Sequence, residues 1–151
     1  MPCILRDCGW CGSDLVDHVK EVHSVKEFIM DPRGAIRGWN SKTWKNADWG
    51  FSIWNFNGIN ILNRSNSTGE IFYLSLYDLD KYRHTVALSV IGKNSEIRFI
   101  NKTVNIRGLE DGVSSFAFHL SIKEAEKHFL EPAEGLEEGY KRLSINVELL
   151  D

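Results

Sequence analysis

Several absences bound what this chain can be. The first twenty residues contain no apolar run of the kind a secretory leader needs, and no stretch approaches the roughly 20 apolar residues that span a bilayer. Charge of one sign is also missing. Lys and Arg number 18 against 21 Asp and Glu, so the net charge of −3 offers no basic footprint for nucleic acid or for an anionic membrane surface. Cysteine is scarce and odd in number: three, all within nine residues. That is a poor disulfide framework, and in a chain without a leader it reads better as thiolate ligands in a reducing compartment, with the cytoplasm expected and the nucleus also allowed. The three N-x-[ST] tripeptides, at Asn63, Asn66 and Asn101, then carry no meaning, because glycosylation requires secretion.

What is present divides into two regimes. Residues 1–24 hold all three cysteines and two of the five histidines. Ser13 or Asp14 can cap a short helix there, and Leu15, Val16, Val19 and Val22 recur at helical spacing, which predicts a helix ending near His23. From residue 25 onward the pattern is mostly period two. Strands are expected over 71–77, 85–91, 96–100, 103–106, 115–120 and 143–149, separated by turn residues that include Gly69, Gly92, Gly108 and Gly139. Short strands joined by turns predict a mainly β chain folded as an antiparallel sandwich, since such sheets need no long crossovers. One segment departs from this: residues 121–130, with a serine start and Pro132 just beyond, read as a helical interruption. Trp39, Trp44, Trp49 and Trp54 recur every five residues, a period that fits neither helix nor strand. Some of them should anchor the core and others should be partly exposed.

The spacing Cys3-x4-Cys8-x9-His18-x4-His23 suits a structural zinc site, with a knuckle carrying thiolates and a helix carrying imidazoles. His18 and His23 lie five apart, so both can reach one ion only if the last turn of the helix loosens. Trp10 and the helix valines would supply the small apolar cap that such a knot requires. Cys11 offers a second choice, because Cys8-x2-Cys11 is a common knuckle and would release Cys3. A catalytic zinc would need a neighbouring base, and neither H-E-x-x-H nor a deaminase pattern occurs. A DNA-reading finger is disfavoured, because the predicted helix carries Asp17 and Glu21 against Lys20 alone, behind Asp14 at its start.

The knot C-x4-C-x-W-x-G…H-x4-H, here Cys3, Cys8, Trp10, Gly12, His18 and His23, followed by a β-sandwich, resembles the seven in absentia (SINA/Siah) family. It looks like the second zinc finger of that family's substrate-binding domain joined to its TRAF-like sandwich. Ala47-Asp48-Trp49, the paired segments 72–76 and 86–92, residues 116–122 and the closing run 143–149 resemble family signatures in the same order. The resemblance implies a zinc finger over 1–24, a TRAF-like domain over 25–151, and one structural zinc on Cys3, Cys8, His18 and His23, with Cys11 a spare thiol. Family members are E3 ubiquitin ligases that pair a RING finger with this module.

No eight-ligand RING set exists here, so the chain is not expected to be active alone. A fragment is favoured over a RING-less relative, because the chain starts two residues before a zinc ligand. The implied function is to bind extended degron peptides, of Pro-x-Ala-x-Val-x-Pro type, by strand addition, for ubiquitin-dependent degradation. The implied partners are degron-bearing substrates or adaptors and a second copy of the chain, with an E2 only if a RING lies upstream. Carried over by spacing, Ile29, Asp48, Trp49 and Phe51 would line the groove, Phe51 standing where a methionine is expected. The rival reading is an adaptor with no link to ubiquitin, and the weaker one is a nucleic-acid-binding finger. Elemental analysis tests the ligand choice: zinc content should survive Cys11→Ser and fall on Cys3→Ser.

Overall fold

The computed structural model describes residues 15–40, 50–68, 70–79, 83–92, 94–105, 116–131 and 141–150. The ligand candidates Cys3, Cys8 and Cys11, with Trp10 and Gly12, lie outside that set. So do the capping candidates Ser13 and Asp14, the groove candidates Asp48 and Trp49, Trp44, and the turn candidates Gly69, Gly108 and Gly139.

The described residues begin with helix α1 (Leu15–Val22). Strands β1 (Lys26–Ile29), β2 (Ala35–Asn40), β3 (Gly50–Phe56), β4 (Ile59–Ser67), β5 (Ile71–Asp78), β6 (Thr85–Ile91), β7 (Glu96–Lys102), β8 (Val104–Asn105) and β9 (Phe116–Ser121) follow. Helix α2 (Ile122–His128) comes next, then β10 (Leu130–Glu131) and β11 (Arg142–Leu149). The protein is mainly β, and its strands form two sheets. One runs β1-β3-β4-β5, with β9 and the short β8 both bonded to β5. In the other, β11 has β2 on one side and β6 on the other, with β7 beyond β6 and β10 alongside the start of β11. Among the described residues no helix is long and apolar enough to cross a membrane.

Antiparallel pairing dominates, as a turn-rich sequence implies, but two pairs are parallel: β1 with β3 and β5 with β8. The β1–β3 exception follows from what happens between them. After β1 the chain makes the turn Asp31-Pro32-Arg33-Gly34, closed by Gly34 N–H donating to Asp31 C=O at 3.0 Å, and crosses to the other sheet as β2. Pro presets the first turn angle, and the Asp31 carboxylate accepts from Arg33 N–H at 3.0 Å. Hydrogen bonds from the Arg33 side chain and backbone hold the Asp31 carboxyl below its ordinary value. When the chain returns as β3 it lies beside β1 in the same direction.

Strands β3 and β4 form a hairpin whose two-residue loop is Asn57-Gly58, with φ of 52° and 96°. Both lie in the left-handed region that this hairpin turn demands, and Asn-Gly is the pair that adopts it most readily. The dipeptide was a readable signal between alternating apolar residues that the strand reading above did not use. Gly92 does mark a turn: its N–H donates to Ser95 C=O at 2.7 Å where β6 returns as β7.

The main core lies between the sheets. Trp54, Phe72, Leu74 and Leu76 from one sheet meet Val86, Leu88, Leu143, Ile145 and Val147 from the other, all essentially buried. Trp39 and Trp54, two of the evenly spaced tryptophans, approach edge to face with ring centroids 6.5 Å apart. Trp54 is fully buried and Trp39 half-buried, so the pair divides between core and partial exposure.

A second core sits on the opposite face of the first sheet. Ile53, Leu62 and Tyr77 point away from the sandwich interior and are covered by Leu15 and Val19 of α1. The helix therefore packs as a third layer, and its apolar stripe is spent on the sheet. Val22, on the same stripe but at the last helical position, is 64% exposed. Lys20 of α1 also pairs with Glu27 of β1 at 2.9 Å, an interaction worth under about 1 kcal/mol at such exposure but one that aligns helix and edge strand. Leu62→Ala should lower unfolding free energy by about 2–5 kcal/mol, because it opens a cavity under α1. Val22→Ala should stay within about 0.5 kcal/mol, and urea titration separates the two.

Candidate functional site

Two clusters and one strand edge carry the chemistry that the described residues offer. The first is the histidine pair. His18 is on α1 and buried to 8% exposure; His23 follows the last helical residue. An uninterrupted helix would put residues five apart on different faces, about 140° apart around the axis. Instead α1 ends at Val22, Ser24 adopts a left-handed φ of 53°, and Val25 N–H donates to Val19 C=O at 3.2 Å. This turn swings His23 back. The rings meet edge to face at 5.0 Å, and Nε2 of one stands 3.2 Å from Nε2 of the other.

That separation has a chemical meaning. Two Zn–N bonds of ordinary length set at a tetrahedral angle place their nitrogens about 3.3–3.4 Å apart. The imidazole pair comes close to that edge length, and the same 3.2 Å is also the distance of a hydrogen bond between the two rings. Among the described residues no third Cys, His, Asp or Glu completes a group with them. The donor chemistry fits zinc, and Cys3 and Cys8 belong to the segment outside those residues.

The second cluster was not anticipated from sequence. Asp78, at the end of β5, is fully buried, and its Oδ2 accepts from Thr103 Oγ1, from His84 N–H at 3.0 Å and from the His84 ring at 2.8 Å. Its Oδ1 is buried with no partner among the described residues. An Asp–His pair is the orienting half of a hydrolytic triad. Here, however, the hydroxyl bonds the carboxylate rather than the far imidazole nitrogen, so these three residues do not assemble an activated nucleophile. Their effect is mechanical. Together with Thr103 N–H to His84 C=O and Arg83 Nε–H to Thr103 C=O, they tie the entry to β6 to the link between β7 and β8. The sequence signal was faint, an aspartate closing an apolar strand.

Of the four groove candidates, Ile29 and Phe51 are described, and the fold does not bring them together. Both point to the outer face of the first sheet, but Ile29 pairs with Asn55 while Phe51 precedes the partner of Lys26. They are therefore four residues apart along the strand direction, about 13 Å. Phe51 packs half-buried against the α1 cluster. Ile29 is 75% exposed and lines an open groove of about 490 Å³ with Met30, Pro32 and Asn57. Edge strand β1 itself has β3 on one side and no strand on the other among the described residues.

Compared with models of known protein families and with curated proteins, the sequence matches none.

Asp78→Ala strands three buried or half-buried donors and should cost about 3 kcal/mol or more in chemical denaturation. Asp31→Ala, at an exposed turn, should cost far less.

Proposed function

We propose that this chain is the substrate-recruiting module of a SINA/Siah-type ubiquitin ligase: a TRAF-like sandwich braced by one structural zinc, binding extended degron peptides by strand addition. The observation that carries the reading is the 3.2 Å approach of His18 Nε2 to His23 Nε2, produced by a helix that ends to permit it. In this reading His18 and His23 hold the metal with Cys3 and Cys8. The zinc supplies a cross-link and no chemistry.

The rest of the mechanism belongs to the protein's own residues. The brace fixes α1, α1 covers Ile53, Leu62 and Tyr77, and Lys20 holds Glu27 of β1. Edge strand β1 is thereby tied to the helix layer while its outer edge is left to accept a further strand. A peptide would donate main-chain hydrogen bonds to that edge and place alternate side chains toward Ile29 on the outer face. Asp48 and Trp49 complete the proposed groove, and Phe51 would act through the packing of α1 rather than by contact. Partners on this reading are degron-bearing substrates or adaptors, with a second copy of the chain as dimer partner and the cytoplasm as setting.

The test combines metal analysis with binding. The purified chain should carry one zinc, lost on His18→Ala and on chelation, with a fall in thermal midpoint. A Pro-x-Ala-x-Val-x-Pro peptide should bind with a Kd on the order of 1–100 μM and lose affinity on Ile29→Asp. Equal binding of a scrambled peptide would remove the groove assignment. With E1 and E2 the chain should form no ubiquitin chains, and robust chain formation would overturn that part of the reading.

A further inference from the structure

Strand alternation turns one face of every strand toward the sandwich interior, where side chains should be apolar. At one end of the first sheet they are not. Ser52 of β3 lies opposite Asn63 of β4, and Gly50 lies opposite Ser65, all on the inward face. Asn63 is 5% exposed; its Nδ2 donates to Ser52 Oγ at 3.0 Å, and its Oδ1 is buried with no partner among the described residues. These residues floor a pocket of about 210 Å³ between the sheets, walled by the rings of Phe28 and Trp39. Lys26 of β1 and Arg37 of β2 both line it.

The charge at this pocket is one-sided. No carboxylate among the described residues pairs with Lys26 or Arg37, whereas Lys20, Arg33 and Arg98 each have one. The Arg37 guanidinium carbon lies over the Phe28 ring, 3.3 Å from its centre. The ring contacts the cation at its carbon, and the N–H groups are the part of a guanidinium that takes a carboxylate in bidentate fashion. Burial holds the Arg37 guanidinium below its ordinary value, the direction expected of a cation that has lost water without gaining a counter-charge.

We propose that this pocket is a carboxylate-binding site, in which Arg37 and Lys26 capture an Asp or Glu side chain of an extended peptide while the hydroxyls of Ser52 and Ser65 in the polar floor donate to its oxygens. The pocket opens where β1 and β2, both edge strands, run on facing sheets. A strand laid along β1 turns every second side chain inward toward Lys26 and Phe28, and an acidic residue at that position reaches the two cations. The peptide as bearer of the carboxylate rests on the reading of β1 as a peptide-accepting edge; the pocket's own charge and polar floor do not. The site adds a requirement to partner choice that the groove residues alone do not contain: an acidic residue facing inward.

The probes are blocked pentapeptides, acetyl-Thr-Val-X-Val-Thr-amide with X as Glu or Gln, and N-acetylglutamate α-amide. Titration is followed by the Trp39 indole and Asn63 side-chain amide resonances of the full chain. The Glu peptide should bind about tenfold more tightly than its Gln twin at low salt, a preference that shrinks as salt is raised. Arg37→Gln and Lys26→Gln should each reduce the preference, and Arg37→Lys should retain part of it. Lys26 is exposed, so its variant folds even if loss of the Arg37 stack weakens the sandwich. Equal binding of the two peptides, absence of any shift at Trp39 and Asn63, or a preference that survives both substitutions would overturn the site. If N-acetylglutamate α-amide binds as well as the Glu peptide, the carboxylate pocket stands and the strand-adding edge fails. A Pro-x-Ala-x-Val-x-Pro peptide run alongside separates the two readings further: its failure counts against the degron assignment alone.

Discussion

The contact on which the rest depends is the seating of α1 on the first sheet. A β-sheet with one apolar face can rest on a partner sheet and show its other face to water, but this one is apolar on both. Ile53, Leu62 and Tyr77 stand on the face opposite Trp54, Leu74 and Leu76, and all six are essentially buried. Burying a side chain of this size contributes about 1.5–3 kcal/mol, so leaving three of them wet would cost a large part of a small protein's stability. Leu15 and Val19 provide the cover. An eight-residue helix is too short to be stable by itself in water, so helix and sheet hold each other in place.

This dependence joins the two regimes that the sequence separates. The Cys/His segment and the sandwich differ in composition, yet the helix of the first supplies the outer layer of the second. On the proposed reading, the imidazole pair at the helix end lets a metal ion act on the same layer. Its effect passes through Leu15 and Val19 to the sheet, and through Lys20 to Glu27 on β1. The opposite side of that sheet ends in an unusual polar row, Ser52, Asn63 and Ser65, beneath two cations that have no carboxylate partner among the described residues. Polar floors inside sandwiches carry a desolvation cost that partners must offset.

Much of the architecture is legible in the sequence. Strands β5, β6, β7, β9 and β11 fall within a residue or two of the segments marked by period-two alternation, and α2 occupies the stretch that broke the pattern. The first part of the chain after α1 was harder. Strands β1 to β4 mix Trp, Asn, Ser and Arg into both faces, because one end of the sandwich is polar inside and the outer face is covered by a helix. Alternation, which assumes one dry and one wet face, is blurred there. The Asn57-Gly58 turn was the surest local signal in that region.

The site divides in the same way. Residue type and spacing alone marked His18 and His23 as a pair, because imidazoles near a helix end are a local matter. Spacing could not place Ile29 and Phe51, since their relation depends on β1 and β3 pairing in parallel, with the chain crossing to the other sheet between them. Nor could it join Lys26 to Arg37, or Asp78 to Thr103, 25 residues apart. What the sequence determined by itself is the mainly β character, the short helix and the candidate ligands, all set by neighbours within a few residues. What the tertiary structure decided is which face α1 covers, which edge stays open and which polar groups share a pocket, because those follow from strand order and register across the whole chain.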